Sequence, residues 1–90
     1  QIEIVFMKQR FIYEIAKDIE ADFKSADRKD GYDLPQARPY LDAMRFLKTV
    51  DQMYLQESAG SMILYFLSNA TMWRDGRAPE LKMELRNLIS

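Results

Sequence analysis

Apolar residues recur at spacings of three and four along almost the whole chain, and this periodicity most narrows what it can fold into. Ile4 or Val5, Phe11, Ile12, Ile15, Ile19 and Phe23 form one stripe, and Leu41, Met44, Leu47, Val50 and Tyr54 form a second. Leu55, Ala59, Met62, Phe66, Ala70 and Trp73 keep the same register, as do Leu81, Leu85 and Leu88. Stripes of this kind belong to helices that bury one face. Strand signals are nearly missing, because no alternating run lies between Asn-Gly or Asp-Gly pairs and the 90 residues include three glycines.

The expectation is therefore all-α: one helical domain over residues 1–90, a small four-helix bundle with helices at about 2–25, 38–55, 58–73 and 79–89. Pro39 cannot sit deep in a helix, which puts the second start at Arg38 or Pro39. Ser58 is suited to cap a third helix, although an unbroken helix from about Asp51 to Trp73 fits the spacing too. Asp75-Gly76 reads as the stop of the third helix and Pro79 as the opening of the fourth. The third helix is apolar nearly all round between Met62 and Leu67, so it belongs in the centre of the bundle or at a subunit interface. A first helix of about 24 residues would be a rod of about 36 Å, long for so small a domain. Both features point to self-association, with a homodimer the commonest solution.

Chemistry is narrowed by what the chain lacks. It has no histidine and no cysteine, so disulfides, thiolate or imidazole nucleophiles and the preferred N and S ligands of zinc are excluded. Net charge is −1, with six bases against seven acids in residues 1–30 and four against three in residues 61–90. Balanced charge disfavours non-specific nucleic-acid binding, which needs a basic face. Sequence-specific DNA binding is disfavoured as well, since the third helix is too apolar to enter a major groove. The longest apolar run, Met62 to Leu67, is far short of the ~20 residues of a membrane span, and Ile2 to Met7 is too short for a signal core. The chain reads as cytoplasmic, without cofactor or metal, and not an enzyme.

Several clusters remain as candidate sites. Trp73, Arg74 and Arg77, followed by Lys82 and Arg86, place arginine forks in a turn before a helix, a pattern suited to a phosphate or nucleotide, with Trp73 as a stacking platform. The plainer reading makes Trp73 core, pairs Arg74 with a nearby carboxylate and leaves Lys82 and Arg86 as a solvated helix face. Ser58, Ala59 and Gly60, with Met62, Ile63 and Phe66, are the candidate interface, where small side chains allow close approach. Met44, Met53, Met62 and Met72 could line a plastic surface, though core filling is the commoner use. Glu14, Asp18 and Asp22 share one face of the first helix, but metal sites of this kind also use histidine. The Asp27–Asp33 stretch lacks the spacing of a calcium loop and reads as a linker. The leading expectation is a non-enzymatic module that binds another macromolecule or itself; the alternative is a sequestering binder of small anions or nucleotides.

Overall fold

The computed structural model describes residues 9–25 and 34–90. Four helices carry most of it: α1 (Ile12–Phe23), α2 (Arg38–Met44), α3 (Ala59–Asn69) and α4 (Ala78–Ile89). Between α2 and α3 lies a two-stranded antiparallel hairpin, β1 (Met53–Tyr54) and β2 (Glu57–Ser58), with Met53 opposite Ser58 and Tyr54 opposite Glu57. The chain is thus mostly helical, and the hairpin is a small β element that the periodicity did not announce. Residues 2–8 of the expected first helix and the Asp27–Asp33 linker lie outside the described residues.

Helix α1 begins at Ile12, ten residues after the expected start near residue 2, because Phe11 is extended (φ −68°, ψ 152°) and sits before the first turn. The carboxylate of Glu14 accepts the Phe11 N–H at 2.8 Å. The next two amides find partners outside the helix: Ile12 N donates to the Lys48 carbonyl and Tyr13 N to the Leu47 carbonyl, each at 2.9 Å. A helix start needs such acceptors for its orphan N–H groups, and here a distant loop supplies them.

That arrangement also accounts for the early end of α2, expected near residue 55 and observed at Met44. The carbonyls of Leu47 and Lys48 turn toward α1. Thr49 then donates to the Asp51 carboxylate at 2.7 Å, and Lys48 N donates to the Gln52 side chain at 2.7 Å. Such local side-chain bonds compete with a helix. Leu47 remains buried although it has left the helix.

The break before α3 falls where Ser58 indicated. Its hydroxyl accepts from Ser61 N at 3.1 Å, while Ala59 N and Gly60 N donate to the Gln52 and Val50 carbonyls. α3 ends at Asn69, four residues before Trp73, and Ala70 closes it. Gly76, at φ 58°, serves a different turn, the one that feeds α4. α3 packs on α2 and α4, and α1 packs on the same two helices. It is not enclosed on all sides, since Leu64 and Tyr65 are exposed.

One core cluster joins all four helices. Ile12, Ile15, Ile19 and Phe23 meet Leu41 and Met44, Ile63 and Phe66, and Leu81 and Leu85. Trp73, from the α3–α4 loop, fills its end with no exposed surface. Its ring stands edge-on to Phe23 at 5.2 Å and to Phe66 at 6.2 Å, the arrangement that aromatic quadrupoles favour.

Candidate functional site

Trp73 divides the charged residues expected to act together into two groups. Its indole Nε1 donates to Asp22 Oδ2 at 2.9 Å, and Arg77 N donates to Asp22 Oδ1 at 3.3 Å. A carboxylate from α1 thus fixes the loop in which Trp73 lies. The ring is wholly inside, so it is core and cannot offer a stacking face to a base.

On the α1 side of the indole the charges cancel. Arg77 donates to Glu80 at 2.7 and 2.9 Å and lies 3.6 Å from Asp18. Arg10 grips both oxygens of Glu84 at 2.7 Å and reaches Asp18 at 2.8 Å. Hydrogen bonds to Glu84, then to Asp18, hold the Arg10 guanidinium firmly charged. Arg77 therefore belongs to a structural network, and its fork is occupied.

On the other side the cations are not balanced. Lys82 Nζ donates to the Ala70 carbonyl at 2.8 Å, at the negative end of α3, and stands 5.5 Å from the centre of the Trp73 ring. Burial pushes its pKa down, and the nearby charges of Arg86 and Arg74 push it further in the same direction. Arg86 lies one helical turn beyond Lys82 on α4, and Arg74 follows Trp73. Both arginines are exposed, and among the described residues neither makes an ion pair. Of the five residues expected to form an anion site, Arg74, Lys82 and Arg86 come together, whereas Trp73 and Arg77 are used by the fold.

The candidate interface divides similarly. Ala59, Met62, Ile63 and Phe66 are buried inside the chain, so their surface is already spent on the core. Ser58 caps α3. Gly60 is half-buried, and a Cβ built there would meet Val50 O at 3.5 Å and Ile89 Cγ2 at 3.8 Å. Gly60 and Ser61 form the floor of an open cleft of about 410 Å³, with Val50, Leu64, Leu88 and Ile89 at its sides. The methionines divide as well: Met44 and Met62 are core, Met53 and Met72 exposed.

The three carboxylates expected to share one face of α1 have separate duties. Glu14 caps the helix, Asp18 joins the arginine network and Asp22 holds the Trp73 loop. Among the described residues, no group of three or more acids is placed to hold a metal. The roles of Asp22, Arg10 and Glu84 were not legible in the sequence because their partners are 51 and 74 residues away. Leu55, placed on a buried helical stripe by its spacing, is instead exposed at the hairpin tip, Phe46 is exposed outside any helix, and Leu64 lies on the outer face of α3. No helix among the described residues is long and apolar enough to cross a membrane. Comparison with family models, curated proteins and solved structures gave no match for this chain.

Proposed function

We propose that this chain is a non-enzymatic helical interaction module that works by binding another protein or a second copy of itself in the cytoplasm. The observation that carries this reading is the size of the apolar side chains left outside the core: Leu55 is 85% exposed, Phe46 76% and Leu64 53%. Single exposed apolar residues are ordinary on a protein surface. Leu55 is less ordinary, because it sits at the hairpin tip with φ 61°, a left-handed conformation that costs a non-glycine residue about 1–2 kcal/mol. A leucine kept at such a tip, where glycine would relieve the strain, fits an anchor that inserts into a partner. Leu64 lies beside the open Gly60–Ser61 cleft, which gives α3 both a projecting side chain and a recess. A symmetric homodimer of small four-helix bundles is the simplest form that self-association through this helix would take.

The non-enzymatic part of the reading is supported by where the carboxylates go. Asp18, Glu20, Asp22, Glu80 and Glu84 each accept hydrogen bonds from arginine or tryptophan within the fold.

A photo-crosslinking amino acid placed at position 55 or 64, and at exposed Lys17 as control, tests the module in cells. A discrete crosslinked species from 55 or 64 but not from 17 is expected, and its mass distinguishes a second copy from a different protein. Equal labelling from all three positions, or none, would overturn the proposal.

A further inference from the structure

Three cations meet at the end of α3, and among the described residues no carboxylate pairs with Arg74, Lys82 or Arg86. Lys82 is anchored by the Ala70 carbonyl and the Trp73 face, so its ammonium is held in one place. Arg86 follows at the i+4 position of the same helix face, and Arg74 approaches from the loop. Arg10, Arg38 and Arg77 each face a carboxylate at hydrogen-bond distance, whereas exposed Arg45, like Arg74 and Arg86, makes no ion pair among the described residues. The described clefts are lined by other residues. Among the described residues the cluster forms a cationic ledge whose two arginines are exposed.

The spacing of the ledge suits one kind of occupant. Side chains at i and i+4 of a helix have Cβ atoms about 5–6 Å apart. In an extended peptide, alternate side chains lie on one face at about 6.6 Å, twice the rise of a strand residue. Two acidic side chains at alternate positions would therefore meet Lys82 and Arg86 together, with Arg74 left to grip a third carboxylate through its fork. Exposed Met72 lies two residues before Arg74 and provides apolar surface close by.

We infer that Arg74, Lys82 and Arg86 form a docking ledge for an extended, carboxylate-rich segment of the partner protein. This inference rests on the reading of the chain as a protein-binding module and names the chemistry of what it binds. The ledge supplies orientation and encounter rate, as charged rims do, while the apolar anchors supply residence time.

The test uses the full chain labelled with ¹⁵N and titrated with hexaglutamate, with side-chain Nε signals of all arginines followed. Hexaglutamine, inorganic phosphate at matched ionic strength and hexauridylate are the comparison ligands. Saturable shifts at Arg74 and Arg86, with small ones at Arg10 and Arg77, are expected for hexaglutamate. The double variant R74E/R86E should bind it roughly tenfold more weakly with no loss of melting temperature. Lys82→Gln, which retains a donor for the Ala70 carbonyl, should weaken it by a smaller factor. Shifts no larger than those with hexaglutamine, or tighter saturation by phosphate or hexauridylate, would overturn the inference. The two readings fail separately. Crosslinking from position 55 or 64 that persists undiminished in R74E/R86E leaves the module standing and removes the ledge. Loss of all crosslinking in the unmodified background removes the module, whatever hexaglutamate does.

Discussion

On one flank of α4, Glu80 and Glu84 face Arg77 and Arg10; on the other, Lys82 and Arg86 lie beside Arg74. The two flanks are a few residues apart in sequence, on one helix, either side of the buried Leu81 and Leu85. They differ in what packs beside them. The acidic flank lies against α1, whose Asp18 adds a further carboxylate to the same network and spreads each charge over several partners. The basic flank lies against the end of α3, where among the described residues the acceptor is a backbone carbonyl that takes one N–H and carries no full charge. Similar residue types thus become a structural clamp in one place and an unsatisfied surface in the other. The difference teaches that a cationic cluster is read by its neighbours across the fold, since an arginine already gripped by two carboxylates has little left for a ligand.

Trp73 is the wall between the flanks, and the largest effects should come from changing it. Trp73→Ala empties the end of the core and should cost about 3–5 kcal/mol, a large part of what a small domain has. Trp73→Phe keeps the ring but takes the indole donor from the buried carboxylate of Asp22, at a cost of about 1–3 kcal/mol. Urea unfolding followed by far-ultraviolet circular dichroism measures both. If the two substitutions cost the same, the Asp22 bond has no separate value and the loop is held by packing alone.

The acidic flank should answer next. Arg10→Ala leaves Glu84 and Asp18 facing each other across the gap where the guanidinium stood. These side chains are about a third exposed, so solvent screens much of the attraction and a loss of about 1 kcal/mol is expected. In 1 M salt, where charges are screened beyond about 3 Å, the loss should shrink. A loss that does not change with salt would mean that Arg10 acts through its alkyl stem, and the contrast between flanks would no longer be electrostatic.

How much of this was legible in the sequence follows from how far away each cause lies. Ser58 could be read as a cap because its partner, Ser61, is in the next turn. The inward faces of α1 and α4 could be read because Ile12, Ile15 and Ile19, or Leu81 and Leu85, repeat within one helix. The end of α2 could not, because the carbonyls of Leu47 and Lys48 are drawn off by α1, more than thirty positions earlier. The hairpin was hidden for a related reason: its tip is Leu55 at positive φ, where a turn would ordinarily announce itself with glycine or asparagine. Arg74 and Arg77 look equivalent as letters, three positions apart. Glu80, one turn on, grips the Arg77 fork while Asp18 approaches it at 3.6 Å and Asp22 takes the Arg77 backbone N–H; among the described residues Arg74 makes no ion pair.

Lys82 gives a smaller effect with a definite sign. Its pKa in the folded chain lies below the ordinary 10.5, by burial first and by Arg86 and Arg74 after it. Between the folded value and 10.5 the unfolded chain binds more protons than the folded one, so stability rises with pH across that window. Below the window the penalty for holding Lys82 charged is fully present. Lys82→Met removes this penalty together with the bond to Ala70, and the two nearly cancel at neutral pH, within about 1 kcal/mol. The variant should lose the rise toward alkaline pH. Parallel urea midpoints from pH 7 to 10 for both proteins would show that Lys82 is solvated like any surface lysine.

The smallest stability effect is the most informative about the comparison. Arg74→Ala and Arg86→Ala remove exposed side chains that make no described ion pair, so each should change stability by no more than about 0.5 kcal/mol. The sign should favour the variant slightly, because each substitution relieves repulsion on Lys82. The same change on the acidic flank, Arg10→Ala, is expected to destabilise. Opposite signs for one chemical substitution on two sides of one helix would demonstrate that the basic flank is held under self-repulsion rather than merely left at the surface. That repulsion is what an acidic ligand would relieve, so added hexaglutamate should raise the melting temperature of the unmodified chain more than that of either variant. A destabilisation by Arg86→Ala as large as that by Arg10→Ala would mean that Arg86 has a structural partner, and the two flanks would then be alike.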